Sequence, residues 1–431
     1  LRGHCARRRK GKAAGMNMLQ VQSAAGLAVF IAIAWALSEN QRAFPWKMVI
    51  AGLALQIALA VAFLTLPFMQ EGLAALNGLV TTLQAATAKG TGFVFGFAGG
   101  GPAPFEVKEP NALGSIAFTI LPLLIVMSAL SALLWHWRIL PLVVKAFSLV
   151  LERTMGIGGA LGLGCASNIF LGMTESPLLI RPYLERLTRS ELFVLFACGL
   201  ANVAGTVMVI YAAMLRVAIP DALGHILIAS ILSLPASILL AKIMIPGGGS
   251  TPAELGEAPL YASSMDAVTK GTEDGLRMYL SIVAMLIAVT ALVALADAGL
   301  GLIAVNGSPL SFARAAGWLF APVTFLMGVP YDQSFAAGSL LGTKTILNEF
   351  VAYQTLAGLA PETLDPRSRL IMLYGLCGFA NFASVGILIA GMTALVPSRR
   401  EEIVDLALKS LIPGTLATCM TGAVVGLLAP V

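Results

Sequence analysis

Two short polar strings interrupt an otherwise apolar chain, and each carries one carboxylate: Thr174-Glu175-Ser176 and Asn348-Glu349-Phe350. They lie in segments 156–185 and 322–358, both rich in Gly, Thr, Ser and Asn, and each with a proline near a carboxylate (Pro177 by Glu175, Pro330 by Asp332). A carboxylate held at bilayer depth costs about 3 kcal/mol or more, so two in matching surroundings call for a purpose. Two readings are open. Either the carboxylates accept hydrogen bonds from a polar solute, with half-helix ends supplying further contacts, or they cap the tips of the segments through backbone N–H groups. Asn168 and Asn202 add amide oxygens, hard donors able to ligate a cation together with freed backbone carbonyls. Their alternative is hydrogen bonding between the helices of a bundle.

The elements that must position these groups follow from composition. Charged residues make up 11% of the 431 and hydrophobic residues 58%, where a soluble chain carries about 25% charge. The solvent for most of this chain is therefore lipid. Apolar runs long enough to span occur at 19–38, 48–68, 115–137, 193–215, 223–245, 277–299, 370–396 and 405–429. The segments 156–185 and 322–358 are too interrupted to span. Irregular backbone at membrane depth survives only inside protein or beside a water-filled cavity, so both are read as re-entrant hairpins. The fold class is an all-α polytopic membrane protein with eight transmembrane helices plus two re-entrant helical hairpins.

Charge placement orients it. Arg42, Lys47, Arg138, Lys145, Arg181, Arg186, Arg189, Arg399 and Arg400 all fall on the cytoplasmic side if the amino terminus is outside, as the positive-inside rule asks. The tail 1–15 disagrees: Arg2, Arg7, Arg8, Arg9, Lys10 and Lys12 outnumber the net charge of +5. A nucleic-acid arm or an anionic-lipid anchor would look like this; the preferred reading is sequence upstream of a start at Met16 or Met18. The run Leu27–Leu37 is taken as a span rather than a signal peptide, because no A-x-A-like site precedes Ser38. Within the polar loop 246–276, Ser263–Arg277 reads as an interfacial amphipathic connector. Cys5, Cys165, Cys198, Cys377 and Cys419 are odd in number and scattered, which implies neither a disulfide framework nor a C-x-x-C metal site.

The chain also repeats itself. Cys198-Gly199-Leu200-Ala201-Asn202 returns as Cys377-Gly378-Phe379-Ala380-Asn381, each copy opening a span after a hairpin, with Arg189-Ser190 and Arg367-Ser368 upstream. An odd number of crossings separates the two units, so they are oppositely oriented. Inverted repeats with broken helices mark secondary transporters. The organisation expected is amino-terminal scaffold spans over 16–145, a first repeat over 146–245, a cytoplasmic connector over 246–276 and a second repeat over 277–431.

Enzyme readings fare badly. The histidines are His4, His136 and His225, and neither H-E-x-x-H nor G-x-S-x-G occurs. Tyr331-Asp332 lacks the second aspartate of an intramembrane protease, and His136 sits between Trp135 and Trp137 as an aromatic-belt residue would. The glycines at 156, 158, 159, 162 and 164 miss the dinucleotide fingerprint, since position 161 is leucine and no strand precedes it. The remaining alternatives are an intramembrane hydrolase and a hairpin-type carrier of another polar solute such as a dicarboxylate, which the two carboxylates would repel.

Asn168-Ile169-Phe170-Leu171-Gly172-Met173-Thr174-Glu175-Ser176-Pro177 resembles the first-hairpin motif of the concentrative nucleoside transporters. Asn348-Glu349-Phe350-Val351-Ala352-Tyr353 and Cys377-Gly378-Phe379-Ala380-Asn381 are similar to that family's second-hairpin and seventh-span motifs, and the likeness covers roughly residues 20–430. The resemblance implies a homotrimer of eight-span subunits in a prokaryotic inner membrane, importing nucleosides by an elevator-like shift, with no cofactor and no nucleic-acid partner. It implies that Met173, Thr174, Glu175 and Val207 face the nucleobase, that Glu349, Asn381 and Ser384 bond the ribose hydroxyls, and that Phe379 packs on the base. Asn168, Asn202 and the carbonyls of Leu171 and Val203 would hold a coupling ion, sodium in preference to a proton. The chain departs from the family twice, with Met173 where glutamine is frequent and Asn202 where a small hydroxyl residue is frequent. The first bears on base preference and the second on the ion.

Overall fold

Long apolar runs become helices because a helix satisfies every backbone polar group within one segment. The computed structural model describes residues 17–107, 115–216, 218–219, 221–248, 251–252, 261–305 and 307–429. The basic tail 1–15 and positions 249–250 and 253–260 of the 246–276 connector lie outside them.

Among the described residues, the first helices are α1 (Met18–Ala36), α2 (Trp46–Thr65) and α3 (Pro67–Phe95), then α4 (Leu123–His136), entered through a π-helical turn, and α5 (Ile139–Met155). The first hairpin comprises α6 (Gly159–Ser167) and the single turn α7 (Ser176–Leu179). It is followed by α8 (Arg189–Ala201), α9 (Gly205–Leu215) and α10 (Ala222–Met244). The second half runs through α11 (Ser264–Leu300), α12 (Phe312–Leu326), α13 (Tyr331–Ile346), α14 (Glu349–Gly358), α15 (Pro366–Leu376), α16 (Phe382–Leu395) and α17 (Arg400–Leu428). Seven helical stretches are long and apolar enough to cross a membrane, or eight if the bent pair α12–α13 counts as one.

Several boundaries differ from the sequence reading. The spans expected at 193–215 and 370–396 are each two helices, α8 with α9 and α15 with α16. The repeated pentapeptides therefore lie at mid-span instead of opening spans. Asn381 explains one restart: its extended backbone and side-chain oxygen cap α16 at the Ser384 N–H, 2.8 Å away. Ser263–Arg277 is no separate connector helix, because α11 continues unbroken for 37 residues. The sequence reading also passed over α3 and α5. Lys145, Glu152 and Arg153 interrupt the apolar run of α5, yet Val144, Ser148, Leu151 and Met155 form one buried stripe at helical spacing.

The second hairpin begins later than residue 322. α12 and α13 meet at 117°, and Gly328 turns the chain between them at φ +101°, a backbone conformation that glycine adopts without steric cost. The arms proper are α13 and α14, joined at Leu347 and Asn348, where Asn348 caps α14 through the Val351 N–H at 2.9 Å. The order of two helices, a hairpin, a broken span and a long helix occurs twice, over α4–α10 and α11–α17.

Two of the basic residues in the charge argument tie separate segments together. Arg189 bridges Glu39 at 2.9 Å and Asp405 at 2.8 Å, and Arg399 donates to the carbonyls of Leu184 and Leu187 at the hairpin exit. The Arg189 guanidinium beside Glu39 holds that carboxyl below the ordinary carboxylate range. The cluster is therefore intact at neutral pH and loosens as pH falls through the lowered value.

Candidate substrate and ion site

Four interruptions of regular structure converge: the tips of the two hairpins and the breaks in the two interrupted spans. Each is tied to another by hydrogen bonds. The Gly205 N–H, just past the α8–α9 break, donates to the Phe170 carbonyl of the first tip at 2.9 Å. The Phe379 N–H of the α15–α16 break donates to the Asn202 carbonyl at 3.2 Å. From the second tip, Glu349 accepts from Asn381 Nδ2 at 2.9 Å and from the Tyr211 hydroxyl of α9 at 2.7 Å.

Glu349 is 6% exposed, and its two contacts go to different oxygens, Oε1 from Tyr211 and Oε2 from Asn381. An ionised carboxylate offers about four acceptor positions, so these two side-chain contacts leave room for a donor from a solute. Asn381 is held at both ends of its amide, accepting from the Ser384 N–H while donating to Glu349. The pair is preorganised. Tyr211 is itself packed, with its ring centroid 4.8 Å from that of Tyr353 and 6.2 Å from that of Phe350.

Glu175 behaves differently. It is half-buried, and its Oε2 accepts from the Gly172 N–H at 3.2 Å, which is the tip-capping contact of the alternative reading. Thr174 lies against α16, where a Cβ on Gly391 would stand 3.1 Å from its methyl. Met173 is 7% exposed and backs onto α8, since a Cβ on Gly199 would stand 2.9 Å from its own Cβ. Val207 and Ser384 are buried, and Phe379 is half-buried at the second break.

The cation donors can be tested by what they lack. Asn202 Nδ2 donates to the Cys198 carbonyl at 3.0 Å, while its Oδ1 is buried with no hydrogen-bond partner among the described residues. An orphaned buried acceptor costs about 1–3 kcal/mol. A desolvated cation is the kind of partner that relieves it. Asn168, 2% exposed, is oriented by Nδ2 on the Gly164 carbonyl at 3.1 Å. The donor set is all oxygen, which suits a hard ion.

Two residues escaped the sequence reading. Tyr211 gave a signal, because a phenol in the middle of an apolar span needs a partner when buried. Lys344 gave a stronger one, as a lone cation on an arm of a membrane-embedded hairpin; it is fully buried, with Nζ donating to Thr418 Oγ1 at 3.2 Å.

The tip-to-break docking makes a prediction. A Cβ on Gly205 would stand 2.8 Å from the Phe170 oxygen, a backbone atom that cannot swing aside. Gly205→Ala should displace the first tip, cost about 1–3 kcal/mol and lower both the unfolding temperature of the purified protein and its uptake. An unchanged unfolding temperature would count against the docking.

Comparison with known proteins decides the family. A model described as "Na+ dependent nucleoside transporter C-terminus" matches residues 225–426, and its N-terminal counterpart matches 25–98. A "Nucleoside recognition" model matches 117–217. The nucleoside permease NupC of Helicobacter pylori is 33% identical over 417 residues, covering 94% of this chain and 97% of the permease. The chain belongs to the concentrative nucleoside transporter family. The family assignment made from the two hairpin motifs and the repeated pentapeptide therefore holds. Sodium/nucleoside cotransporter 1 of Rattus norvegicus is 31% identical over 95% of this chain and 64% of its own length. Among solved structures, CNTnw in an inward-facing substrate-bound state superposes with a TM-score of 0.87 at 31% identity, covering 96% of this chain. A CNTnw variant in an outward-facing state gives 0.86 over 95%. The relatives are permeases and cotransporters, so this member of the family is a transporter and not an enzyme.

Proposed function

We propose that this protein imports nucleosides by symport with sodium across a prokaryotic inner membrane. The reading rests above all on Glu349, a buried carboxylate oriented by two fixed side-chain donors and still able to accept from a solute. Vicinal ribose hydroxyls supply such donors. Asn381 and Ser384 complete the sugar contacts. Met173, Thr174, Glu175, Val207 and Phe379 flank the base.

Sodium is favoured by the unpaired Oδ1 of Asn202, joined by Asn168 and the carbonyls of Leu171 and Val203. A proton carried on Glu175 or Glu349 is the alternative. The architecture is eight spans with two re-entrant hairpins in inverted repeats, assembled as a homotrimer, and access alternates by an elevator-like shift of the hairpin-bearing part. Residues 16–145 serve as scaffold and 246–276 as the cytoplasmic connector.

Counterflow tests the assignment. Proteoliposomes preloaded with unlabelled nucleoside should accumulate labelled nucleoside transiently, and a dicarboxylate should neither drive nor inhibit this. Absence of trans-stimulated exchange for every nucleoside would remove the proposal.

Base preference follows from Met173. A glutamine there would read donors and acceptors along a base edge, whereas a thioether makes soft contacts without a pattern. Losing a patterned contact removes about 1 kcal/mol of selectivity and rewards stackable area, so purine nucleosides should be accepted at least as well as pyrimidine ones. The competing possibility is that Met173 only fills space against Gly199, leaving selectivity to Thr174 and Glu175. Competition by adenosine, inosine, uridine and cytidine in wild type and Met173→Gln separates the two. A strong uridine preference unaltered by the substitution would overturn the purine prediction alone.

A further inference from the structure

Lys344 is a charged side chain for which the nucleoside and ion contacts provide no use. It sits on α13, is 0% exposed, and has one hydrogen-bond partner among the described residues, the Thr418 hydroxyl of α17. An ammonium has three donors, and one neutral hydroxyl does not compensate for removing it from water. What it does face is charge. Glu349 lies across the hairpin tip, five residues on, as the first residue of α14, the arm packed against α13. The other titratable neighbours of the pair are Tyr211 and Tyr353 around Glu349, and Cys377 and Cys419 around Lys344.

We infer that Lys344 is a positioning residue, the internal counter-charge of Glu349, which keeps the second hairpin electrically balanced at bilayer depth. The consequence for transport rests on the assignment of Glu349 to the sugar, but the pairing itself does not. With Lys344 present, the carboxylate remains an ionised acceptor between Tyr211 and Asn381. Without it, the tip carries an uncompensated buried charge, the situation that destabilises far more than removing a whole pair. Lys344 itself need not touch the nucleoside.

A double-mutant cycle tests this on the purified full chain. Lys344→Met and Glu349→Gln should each lower the unfolding temperature in the absence of nucleoside. The double variant should unfold above both, because no lone charge is left behind. Uptake gives the second readout. Lys344→Met should lower it about tenfold in the wild-type background, within the range of coupled neighbours, and change it little in the Glu349→Gln background. Lys344→Arg, which keeps the charge, should restore part of both. Additive losses of unfolding temperature, or full activity and stability in Lys344→Met, would overturn the pairing. Recovery of stability in the double variant with no nucleoside transport by any form would instead leave the pairing standing and remove the sugar assignment.

Discussion

Glu349→Gln should reduce nucleoside uptake at least about tenfold while the protein still expresses and assembles. The carboxylate accepts from Tyr211 at Oε1 and from Asn381 Nδ2 at Oε2. A glutamine amide can keep its oxygen on Asn381 Nδ2 and turn its NH2 toward the Tyr211 hydroxyl, which then accepts instead of donating. The remaining bonds lose their charge assistance, worth about 1.5–3 kcal/mol for a hydrogen bond to an ion. Ribose loses the same advantage. Tyr211→Phe removes a single hydroxyl and leaves the charge, so its effect should be smaller, about 1 kcal/mol. Initial rates of uridine and adenosine uptake, normalised to purified protein, measure both. Unchanged uptake by Glu349→Gln would refute the sugar-binding role.

The second large effect is expected at the ion. Asn202→Ala deletes an amide whose oxygen is buried without a partner and whose nitrogen anchors it to the Cys198 carbonyl. If that oxygen is a sodium ligand, its loss should raise the sodium concentration for half-maximal uptake by about tenfold or more, one hydrogen-bond-sized contribution to an ion. Stability in sodium-free buffer should change little, because the orphaned Oδ1 is removed while the Cys198 carbonyl loses its Nδ2 donor. Uptake at fixed pH in sodium and in choline media, for wild type and variant, provides the measurement. Wild-type transport driven by a pH gradient alone and indifferent to sodium would overturn the sodium assignment and point to a proton.

Much of this protein was legible before any coordinates. Low charge and long apolar runs dictated a helical bundle in lipid, because backbone hydrogen bonding leaves few other solutions there. The twin polar strings marked both hairpins, and the cost of a carboxylate in the bilayer singled out Glu175 and Glu349. These are local properties, carried by residues close together in the chain. The boundaries that failed were local too, but rested on the assumption that polar residues end a helix. α5 and the first turns of α11 continue through charges because only one face is covered.

Tertiary structure alone decided which groups meet. Glu349 and Tyr211 are 138 residues apart, and Lys344 and Thr418 are 74 apart. No spacing rule connects such pairs, since they become neighbours only when the hairpins dock against the breaks. Docking likewise separated the two carboxylates, leaving Glu349 between donors from two other elements and Glu175 bonded to its own tip. It turned Met173 onto Gly199 and left Asn202 with one bonded and one unbonded amide atom. A sequence lists the donors and acceptors at bilayer depth. Which of them are satisfied, and which remain for a solute or an ion, depends on the packing of separated segments.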